Sequence, residues 1–437
     1  MSQKQILPPI RHPHCVFKSY EDILAPNISE WGGSMQDTAL SDMRVLDLTQ
    51  YLAGPYCTKL LSTYGADVIK IEKPGSGDPA RNMGPFPNDE PHLEKSGTFF
   101  HLNLNKRSVT LNLKSDSGKE IFKDLVRDAD MVVESFRPHV MRDLGLSYDT
   151  LKEIKPNIVL TSITNFGQTG PYAEYKSSEM VLYGMGGPMY NKGNPDREPV
   201  SLGLPTALYH GGSVAAAGAM GAFFGARYQN VGQHVDVSLM EAVLGSVDGR
   251  IGVLLAYQYS GEVTDRDNAA GGFANGVFPC QDGYFVMAAS DNRMFPRLVK
   301  MMGDPEPLLD PRYLTPEGKR DPDLRDLFEA VLIGWTMEHS KREIAQIGAE
   351  NGLICGALNT IAEVDTDPHF NERDVFVEVE HPDLGKIRTI GRPFIMHESP
   401  WSIERTAPRL GEHNEEIYGD MGFTKEQLVQ LRSNGVI

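Results

Sequence analysis

The amino-acid sequence predicts an α/β protein built on a parallel sheet. Between residues 43 and 240, short apolar runs typical of buried strands alternate with segments of helical periodicity. Strands that alternate with helices form βαβ units, so these segments predict a single Rossmann-like sheet. The predicted strands, in chain order, are Val45–Leu48, Asp67–Glu72, Val109–Lys114, Met131–Ser135, Ile158–Ile163 and His234–Ser238.

The predicted helices between these strands include one that is rich in alanine and glycine, whose small side chains allow close packing in the core. The helices of this region are Thr58–Tyr64, Gly118–Arg127, His139–Leu144, Ser213–Tyr228 and Leu239–Tyr257. Every predicted strand except Asp67–Glu72 is therefore followed by a helical segment that can cross over the sheet. This regular alternation is the basis of the α/β prediction.

A different pattern begins near residue 276 and predicts a smaller α+β domain. Asp282-Gly283 is a hairpin turn signal within Phe278–Ala288, and a second hairpin joins Asp374–Glu380 to Lys386–Ile390. Helices are expected at 292–302, 323–352 and Lys425–Ser433. The predicted organisation is an irregular arm at 1–42, a large domain at 43–240, a linker helix and loop at 241–275, the small domain at 276–385, and a return to the large domain at 386–437.

The composition excludes several classes of protein. The chain of 437 residues has 42 Lys and Arg against 59 Asp and Glu, a formal charge of −17, which argues against a nucleic-acid partner. No apolar run reaches the roughly 20 residues of a membrane span. The histidines lack the spacing of metal ligands, so no metal is expected. Scattered cysteines predict reduced thiols in a cytoplasmic protein: Cys15, Cys57, Cys280 and Cys355.

Basic residues recur near the ends of the predicted strands. Lys73 and Arg81 follow the second strand, Lys106 and Arg107 precede the third, and Arg137 follows the fourth. Parallel sheets bind ligands beyond the carboxyl ends of their strands, so these side chains indicate a phosphate-bearing ligand. Solvated turns and ordinary surface charge are the alternative reading.

Taken as whole strings, several motifs extend the prediction. The chain resembles the family III CoA-transferases through MRVLDLTQYLAGPYCTKLLSTYGADVIKIEKPGSGDPAR (43–81), NLNKRSVTLNLKS (103–115), ADMVVESFRP (129–138), GQTGPY (167–172) and VGQHVDVSLMEAVL (231–244). Residues 407–437 resemble the C-terminal signature of the family. The resemblance implies a large Rossmann-like domain, a small domain, and two chains interlocked like rings. It also implies CoA and acyl-CoA as substrates, with no prosthetic group.

The same resemblance implies where CoA lies. The family has an arginine at the position that Asp143 occupies in this chain. The neighbouring Arg142 would take over its contact with CoA. The expected contacts with CoA fall in three places: after the first strand, around the nucleotide and along the pantetheine. With the basic residues named above, they are Leu52, Ala53, Lys73, Arg81, Leu111, Asn112, Lys114, Ser135, Phe136, Arg137, Arg142, Tyr175, Lys176 and Ser178.

The catalytic position departs from the family pattern. The family uses an Asp carboxylate at the start of the small-residue helix as its nucleophile. Counting back from Gly232-Gln233 places Leu208 there, and no Asp or Glu occurs from Pro199 to Val235. Glu179 fills the second acidic position of the family, either as a surrogate nucleophile or as a structural carboxylate. The racemase branch has His-Asp where this chain has Ser178-Glu179, which argues against racemase chemistry.

The resulting hypothesis is a non-catalytic subunit of a CoA-transferase. It would be interlocked in a heterodimer or heterotetramer with a homologous subunit that carries the Asp. Such a pairing exists in the succinyl-CoA:(R)-benzylsuccinate CoA-transferases of anaerobic toluene degradation. Two alternatives remain: a self-sufficient homodimeric CoA-transferase or CoA-ester isomerase that uses Glu179, and a CoA-ester binding protein without catalysis. Residues 190–197 and 261–276 are expected to shape the acyl pocket.

Overall fold

The computed structural model describes residues 38–246, 250–263, 266 and 273–437, and it centres on a six-stranded sheet in which all strand pairs are parallel. Its strands are β1 (Arg44–Asp47), β2 (Asp67–Glu72), β3 (Arg107–Thr110), β4 (Met131–Glu134), β5 (Val159–Thr164) and β6 (Gln233–Ser238). The spatial order is β3-β2-β1-β4-β5-β6. The α/β prediction with a parallel sheet is confirmed, and the direction of strand order reverses between β1 and β4.

Helices cover both faces of this sheet and bury two apolar clusters against it. The helices up to residue 260 are α1 (Ala53–Ser62), α2 (Gly97–Leu102), α3 (Asp116–Asp128), α4 (Val140–Asp143), α5 (Tyr148–Ile154), α6 (Glu179–Met185), α7 (Thr206–Gln229), α8 (Leu239–Ser246) and α9 (Arg250–Ser260). Helix α7 packs so closely on α1 that a Cβ atom at Gly212 would lie 2.5 Å from the Ala53 carbonyl oxygen. The small residues of α7 thus serve the close packing that the sequence predicted.

Two smaller antiparallel sheets form beyond residue 273. One contains β7 (Asn275–Cys280), β8 (Gly283–Ala288) and β9 (Ile354–Ala357), and the other contains β10 (Phe376–His381) and β11 (Gly385–Ile390). The helices here are α10 (Phe295–Met301), α11 (Pro322–Thr336), α12 (Lys341–Glu350), α13 (Ile361–Asp365) and α14 (Pro368–Glu372). Both predicted hairpins are present. The exact domain boundaries stay a prediction.

The C-terminal helices α15 (Asn414–Asp420) and α16 (Lys425–Ser433) return to the large sheet. Tyr418 and Leu428 are buried in the same apolar cluster as the strands. The Tyr418 hydroxyl donates a hydrogen bond to the carbonyl of Thr110 in β3 at 2.8 Å. These contacts fix the last residues of the chain against β3.

Some predicted helices differ from those observed. The segment 323–352 is two helices, because Ser340 and Glu343 form a capping box that starts α12 anew. The described parts of the segment Leu239–Tyr257 are helical, as predicted, in α8 and α9, and residues 247–249 lie outside the described residues. Helix α7 begins at Thr206 rather than Ser213. Of the predicted arm at 1–42, residues 1–37 lie outside the described residues.

A buried ion cluster joins the strands to α1. The carboxylate of Asp47, at the end of β1, is fully buried and lies 2.9 Å from the Lys106 ammonium and 3.9 Å from that of Lys70. Lys106 also donates to the Thr58 hydroxyl at 2.7 Å and to the Pro55 carbonyl at 2.9 Å, both in α1. Burial alone would raise the pKa of Asp47, but the two ammonium groups and neighbouring hydroxyls hold it well below its usual range.

We expect Lys106→Met to lower the free energy of unfolding by about 3–5 kcal/mol, because it leaves the buried Asp47 carboxylate without its nearest cation. Urea unfolding followed by circular dichroism measures the change. Lys123→Met is the matched control, since Lys123 pairs with an exposed carboxylate on α3 and should cost less than about 1 kcal/mol. Equal effects of the two substitutions would contradict a stabilising role of the cluster.

Candidate functional site

A cleft of about 830 Å³ opens where the direction of strand order reverses. The segments that follow β1, β4 and β5 form its floor and one wall, and α6 and the start of α7 form the other end. Ligands of open parallel sheets bind at such a reversal, beyond the carboxyl ends of the strands. The lining consists of residues 50–54, 135–140, 163–165, 173, 175–179, 182, 208 and 239.

The loop after β1 has a fixed conformation. Tyr51 has a φ of 65°, in the left-handed region that bulky residues rarely adopt. Its backbone N–H donates to the Asp78 carboxylate at 3.0 Å, and the N–H of Gln50 donates to the Ser135 hydroxyl at 2.9 Å. Because Asp78 also pairs with Lys70 at 2.8 Å, the loop is connected to the buried ion cluster. The loops after β1 and β4 are thereby held together across the cleft floor.

A buried carboxylate supports the loop after β4. Glu134 is 2 % exposed, and its side chain accepts the backbone N–H of Phe136 at 2.7 Å. Burial raises the pKa of Glu134 to about 7, against the lowering effects of hydrogen bonds from Ser162 and Phe136, and the nearby Asp236 adds to the rise. The charge of this carboxylate therefore changes near neutral pH, directly beneath a cleft residue.

Glu179 and Leu208 meet at the end of the cleft formed by α6 and α7. The Glu179 carboxylate accepts the backbone N–H of Ala207, in the first turn of α7, at 2.8 Å. The pKa of Glu179 is raised by burial, and the opposing effect of this hydrogen bond is smaller. Leu208 is the next residue of the helix, is half-buried and lines the cleft. A carboxylate and a leucine thus both line the cleft near the start of α7.

Ten of the residues singled out from the sequence lie together in this cleft. They are Leu52, Ala53, Ser135, Phe136, Arg137, Tyr175, Lys176, Ser178, Glu179 and Leu208. Arg137 and Lys176 are exposed and bring positive charge to it, as phosphate groups require. The others singled out lie outside its lining: Lys73, Arg81, Leu111, Asn112, Lys114 and Arg142.

The expectation that Arg81 contacts phosphate is wrong. Its guanidinium is fully buried, with two hydrogen bonds of 2.8 Å to Glu72 and one of 2.7 Å to Glu94. The guanidinium carbon also lies 3.7 Å from the centre of the Phe99 ring. A side chain that is enclosed and bonded in this way cannot reach a ligand in the cleft.

Other basic residues near the strand ends are also structural. Lys106 belongs to the buried ion cluster, and Arg107 pairs with Asp67 at 2.6 Å and with Glu416 at 2.7 Å. The proposal that these two side chains hold an anionic ligand is therefore wrong. Their charges compensate carboxylates of the same chain.

Leu111 and Asn112 have structural contacts as well. The Leu111 side chain is buried in the apolar core of the sheet, so it offers no surface to a ligand. The Asn112 N–H donates to the Val436 carbonyl at 2.7 Å, and its side-chain amide donates to the Gly435 carbonyl at 3.2 Å. Both side chains thus contact the protein itself, and the assignment of these two residues to CoA stays a prediction.

The exposed side chains of Lys73, Lys114 and Arg142 lie outside the cleft lining. Among the described residues, the Arg142 guanidinium forms an ion pair with the neighbouring Asp143, at a long distance of 3.9 Å. Their assignment to CoA stays a prediction.

Several residues of the cleft and of its support are not among those predicted from the sequence. Gln50, Tyr51, His139 and Asn165 line the cleft, and Glu134 lies beneath it. Four of them follow the carboxyl ends of strands, where parallel sheets bind their ligands, so their places in the sequence could have indicated them. Glu134 could have been noticed because it is an acidic residue inside the otherwise apolar run Met131–Ser135.

In the part of the chain that the structure describes, no group of three or more His, Cys, Asp and Glu side chains is arranged to hold a metal ion. None of the helices within that part is long and apolar enough to cross a membrane.

The family model described as CoA-transferase family III matches residues 40–414. The chain belongs to this family. Enzymes of CoA-transferase family III move CoA between acids, with CoA thioesters as substrates. The cleft at the reversal of strand order, with its basic rim, is thus the candidate CoA site of a family member.

Relatives extend over nearly the whole chain. A succinyl-CoA–D-citramalate CoA-transferase of Chloroflexus aurantiacus is 35% identical over 91% of this chain and 98% of its own. A formyl-CoA:oxalate CoA-transferase of Streptomyces coelicolor is 35% identical over 92% of this chain and 100% of its own. The crystal structure of a CAIB/BAIF family protein from Brucella suis, 30% identical, matches with a TM-score of 0.77 over 88% of this chain and 100% of that one.

We expect the stability difference between Glu134→Gln and the wild type to depend on pH. The folded protein binds the Glu134 proton more tightly than the unfolded chain does, so the carboxyl favours folding at low pH and penalises it as pH rises through about 7. Glutamine resembles the protonated acid, so the variant should gain up to about 3 kcal/mol relative to wild type between pH 4.5 and pH 8.

Urea unfolding at each pH measures this difference, and the exposed substitution Glu120→Gln controls for general effects of pH. A Glu134→Gln difference that stays constant over this range would mean that Glu134 has the same proton affinity in both states.

Proposed function

We propose that this chain is the CoA-ester-binding, non-catalytic subunit of a heteromeric family III CoA-transferase. Its partner would be a homologous subunit that carries the nucleophilic Asp, interlocked with it in a heterodimer or heterotetramer. The observation that carries the proposal is Leu208, which lines the cleft in the first turn of α7, where the family resemblance expects the Asp. The sequence from Pro199 to Val235 contains no carboxylate that a shifted alignment could supply.

The mechanism of the family shows why a leucine at this position cannot act as the nucleophile. In the family, the Asp carboxylate attacks the thioester carbonyl, and the CoA thiolate leaves as a mixed anhydride forms. The thiolate then attacks the aspartyl carbonyl, which releases the first acid and leaves an aspartyl thioester. The acceptor carboxylate attacks that thioester, and CoA returns to the new acyl group. The aliphatic side chain of Leu208 has no lone pair for the first step.

The acids on which the complex acts are proposed by analogy. Two relatives are named for D-citramalate and for oxalate, which are both dicarboxylic acids. Succinyl-CoA as donor and a dicarboxylic acid as acceptor are therefore the first substrates to examine. Succinyl-CoA and (R)-benzylsuccinate remain the specific pair proposed from the sequence.

A second candidate function is self-sufficient catalysis by Glu179, as a homodimeric CoA-transferase or CoA-ester isomerase. The observation in its favour is the position of the carboxylate, which lines the cleft and is held at the start of α7 by the Ala207 N–H. The hydrogen bond that fixes it also occupies one of its oxygens. Burial raises the pKa of Glu179, and the hydrogen bond from the Ala207 N–H lowers it.

Native mass spectrometry of the protein isolated from its own source, combined with an activity assay, separates these functions. A complex with a second chain of similar mass, bearing Asp at the position equivalent to Leu208, is the expected result. A homodimer that turns over acyl-CoA would overturn the proposal in favour of Glu179. CoA-ester binding with neither partner nor turnover would indicate a binding protein.

We expect Leu208→Asp to create a nucleophile at the end of the cleft. Incubation of this variant with succinyl-CoA followed by hydroxylamine should convert the introduced carboxylate to a hydroxamate, detected by peptide mass spectrometry, because anhydrides and thioesters react with hydroxylamine. The isosteric control Leu208→Asn should give no such product. A modified Glu179 in the wild-type chain would contradict the non-catalytic assignment, and the absence of any product in Leu208→Asp would show that further residues of the site have diverged.

A further inference from the structure

The buried Glu134 carboxylate lies under the loop that follows β4. The next three residues, Ser135, Phe136 and Arg137, line the large cleft. Glu134 itself lies outside the cleft lining, and its side chain accepts the Phe136 backbone N–H at 2.7 Å. The carboxylate is therefore one hydrogen bond away from a residue that faces the ligand space. It can act on a ligand through this loop and through its charge.

Glu134 lacks the compensation by cations that Asp47 has. Two lysine ammonium groups lie 2.9 and 3.9 Å from the Asp47 carboxylate. Among the described residues, no cation contributes to the pKa of Glu134, and the charged side chain that does is another carboxylate, that of Asp236. On β1, the adjacent residue is the apolar Leu48, whose N–H donates to the Val133 carbonyl at 2.8 Å. An ionised Glu134 is thus a buried negative charge that only hydrogen bonds stabilise, which is costly in a protein interior.

A chain of hydrogen bonds connects Glu134 with the protein surface. Glu134, Ser162 and Asp236 are register partners on β4, β5 and β6, so their side chains lie on one face of the sheet. The Ser162 hydroxyl hydrogen-bonds to the Glu134 carboxylate and lies 2.9 Å from Nε2 of His234. His234 is exposed, and its ring stacks on that of Tyr148 at a centroid distance of 5.6 Å. A serine hydroxyl both donates and accepts, so this chain can pass a proton in either direction.

We propose that CoA binding takes up a proton at Glu134, so that the protonated acid favours binding and the carboxylate opposes it. This inference rests on the proposed function, namely that the chain binds CoA esters, and it concerns the regulation of that same cleft. Glu134 is a positioning residue in this role, because it contacts the loop and not the ligand. Ser162 and His234 form the path along which the proton enters and leaves.

The path accounts for every proton that moves. The His234 ring takes up a proton from solvent at one nitrogen and gives the proton of Nε2 to the Ser162 hydroxyl. Ser162 passes its own hydroxyl proton to the carboxylate of Glu134, and the ring is neutral again. Burial lowers the pKa of His234, although Asp236 and Asp149 of α5 oppose this effect. The ring is therefore mostly neutral at neutral pH, as a relay requires.

Electrostatics sets the direction of the coupling. The phosphates of CoA bring negative charge to the cleft, and Arg137 of the same loop is exposed there to meet them. An ionised Glu134 adds a like charge in a poorly screened interior, whereas the protonated acid adds none. The acid keeps an acceptor oxygen, so the hydrogen bond from the Phe136 N–H survives protonation. By linkage, a ligand that favours the protonated form is bound more tightly as pH falls.

Calorimetric titration of the full chain with CoA at pH 6 and pH 8 tests the coupling. Because burial raises the pKa of Glu134 to about 7, the wild type passes from mostly protonated to mostly ionised over this interval. Glu134→Gln, which resembles the acid, should bind CoA as tightly as the wild type at pH 6 and roughly fivefold or more tightly than the wild type at pH 8. The phosphates of CoA also titrate, but they do so identically with both proteins. Glu120→Gln, at an exposed carboxylate of α3, is the matched control and should follow the wild type.

Two further variants change the pKa of Glu134 in opposite directions and leave its carboxyl in place. Ser162→Ala removes a hydrogen bond that lowers this pKa, so the pH at which CoA affinity changes should rise. Asp236→Asn removes a like charge that raises the pKa, so that pH should fall. The asparagine oxygen can still accept the Gln168 N–H that Asp236 accepts. Both variants remain informative if Glu134→Gln does not fold.

The outcomes separate the coupling from the proposed function. If the wild type and Glu134→Gln bind CoA with the same pH dependence, or if Ser162→Ala and Asp236→Asn do not shift it in opposite directions, the coupling is overturned and CoA binding stands. Tighter binding by the wild type than by Glu134→Gln at pH 8 would overturn it as well, since the carboxylate would then favour the ligand. If the wild type and all variants fail to bind CoA at either pH, both the coupling and the proposed function are overturned.

Discussion

The buried Asp47 carboxylate is the constraint on which the arrangement of the cleft depends. A buried charge is tolerated only when cations and hydrogen bonds surround it, and here Lys106 and Lys70 approach from two other parts of the chain. Lys106 binds α1 at the same time, and Lys70 binds Asp78, which holds the N–H of Tyr51. The loop that forms the cleft floor is therefore positioned by internal electrostatics before any ligand binds.

This use of charge explains why the basic residues divide into two groups. Arg81 and Lys106 are buried and compensate carboxylates, whereas Arg137 and Lys176 remain exposed at the cleft. In a chain of formal charge −17, a polyanionic CoA ester can be attracted only by local positive charge. The exposed pair supplies that charge beside a floor whose own ions are already paired, so the ligand does not compete with the fold for them.

Periodicity and turn signals predicted most of the fold, because they depend on neighbouring residues. Strand β2 and helix α16 have the predicted bounds, and the hairpin turned at Asp282-Gly283 is present. The errors in helix bounds are local, whereas the errors at the candidate site concern contacts between distant residues. Arg107 pairs with Glu416, and Asn112 binds the C-terminal segment, contacts that no local pattern displays. At the site, motif resemblance placed Leu208 and Glu179 separately, but only the folded chain shows the hydrogen bond between Glu179 and the residue before Leu208.

That hydrogen bond bears on why a leucine is compatible with this fold. The N-terminal turn of α7 presents the Ala207 N–H and the positive end of the helix dipole, which favour one carboxylate. Glu179 supplies a carboxylate from α6, and the contact connects the two helices at the end of the cleft. An Asp at the position of Leu208 would add a second carboxylate nearby, and repulsion between them would raise the pKa of one. A leucine at this position brings no such repulsion, so the contact between Glu179 and the start of α7 forms without a competing carboxylate.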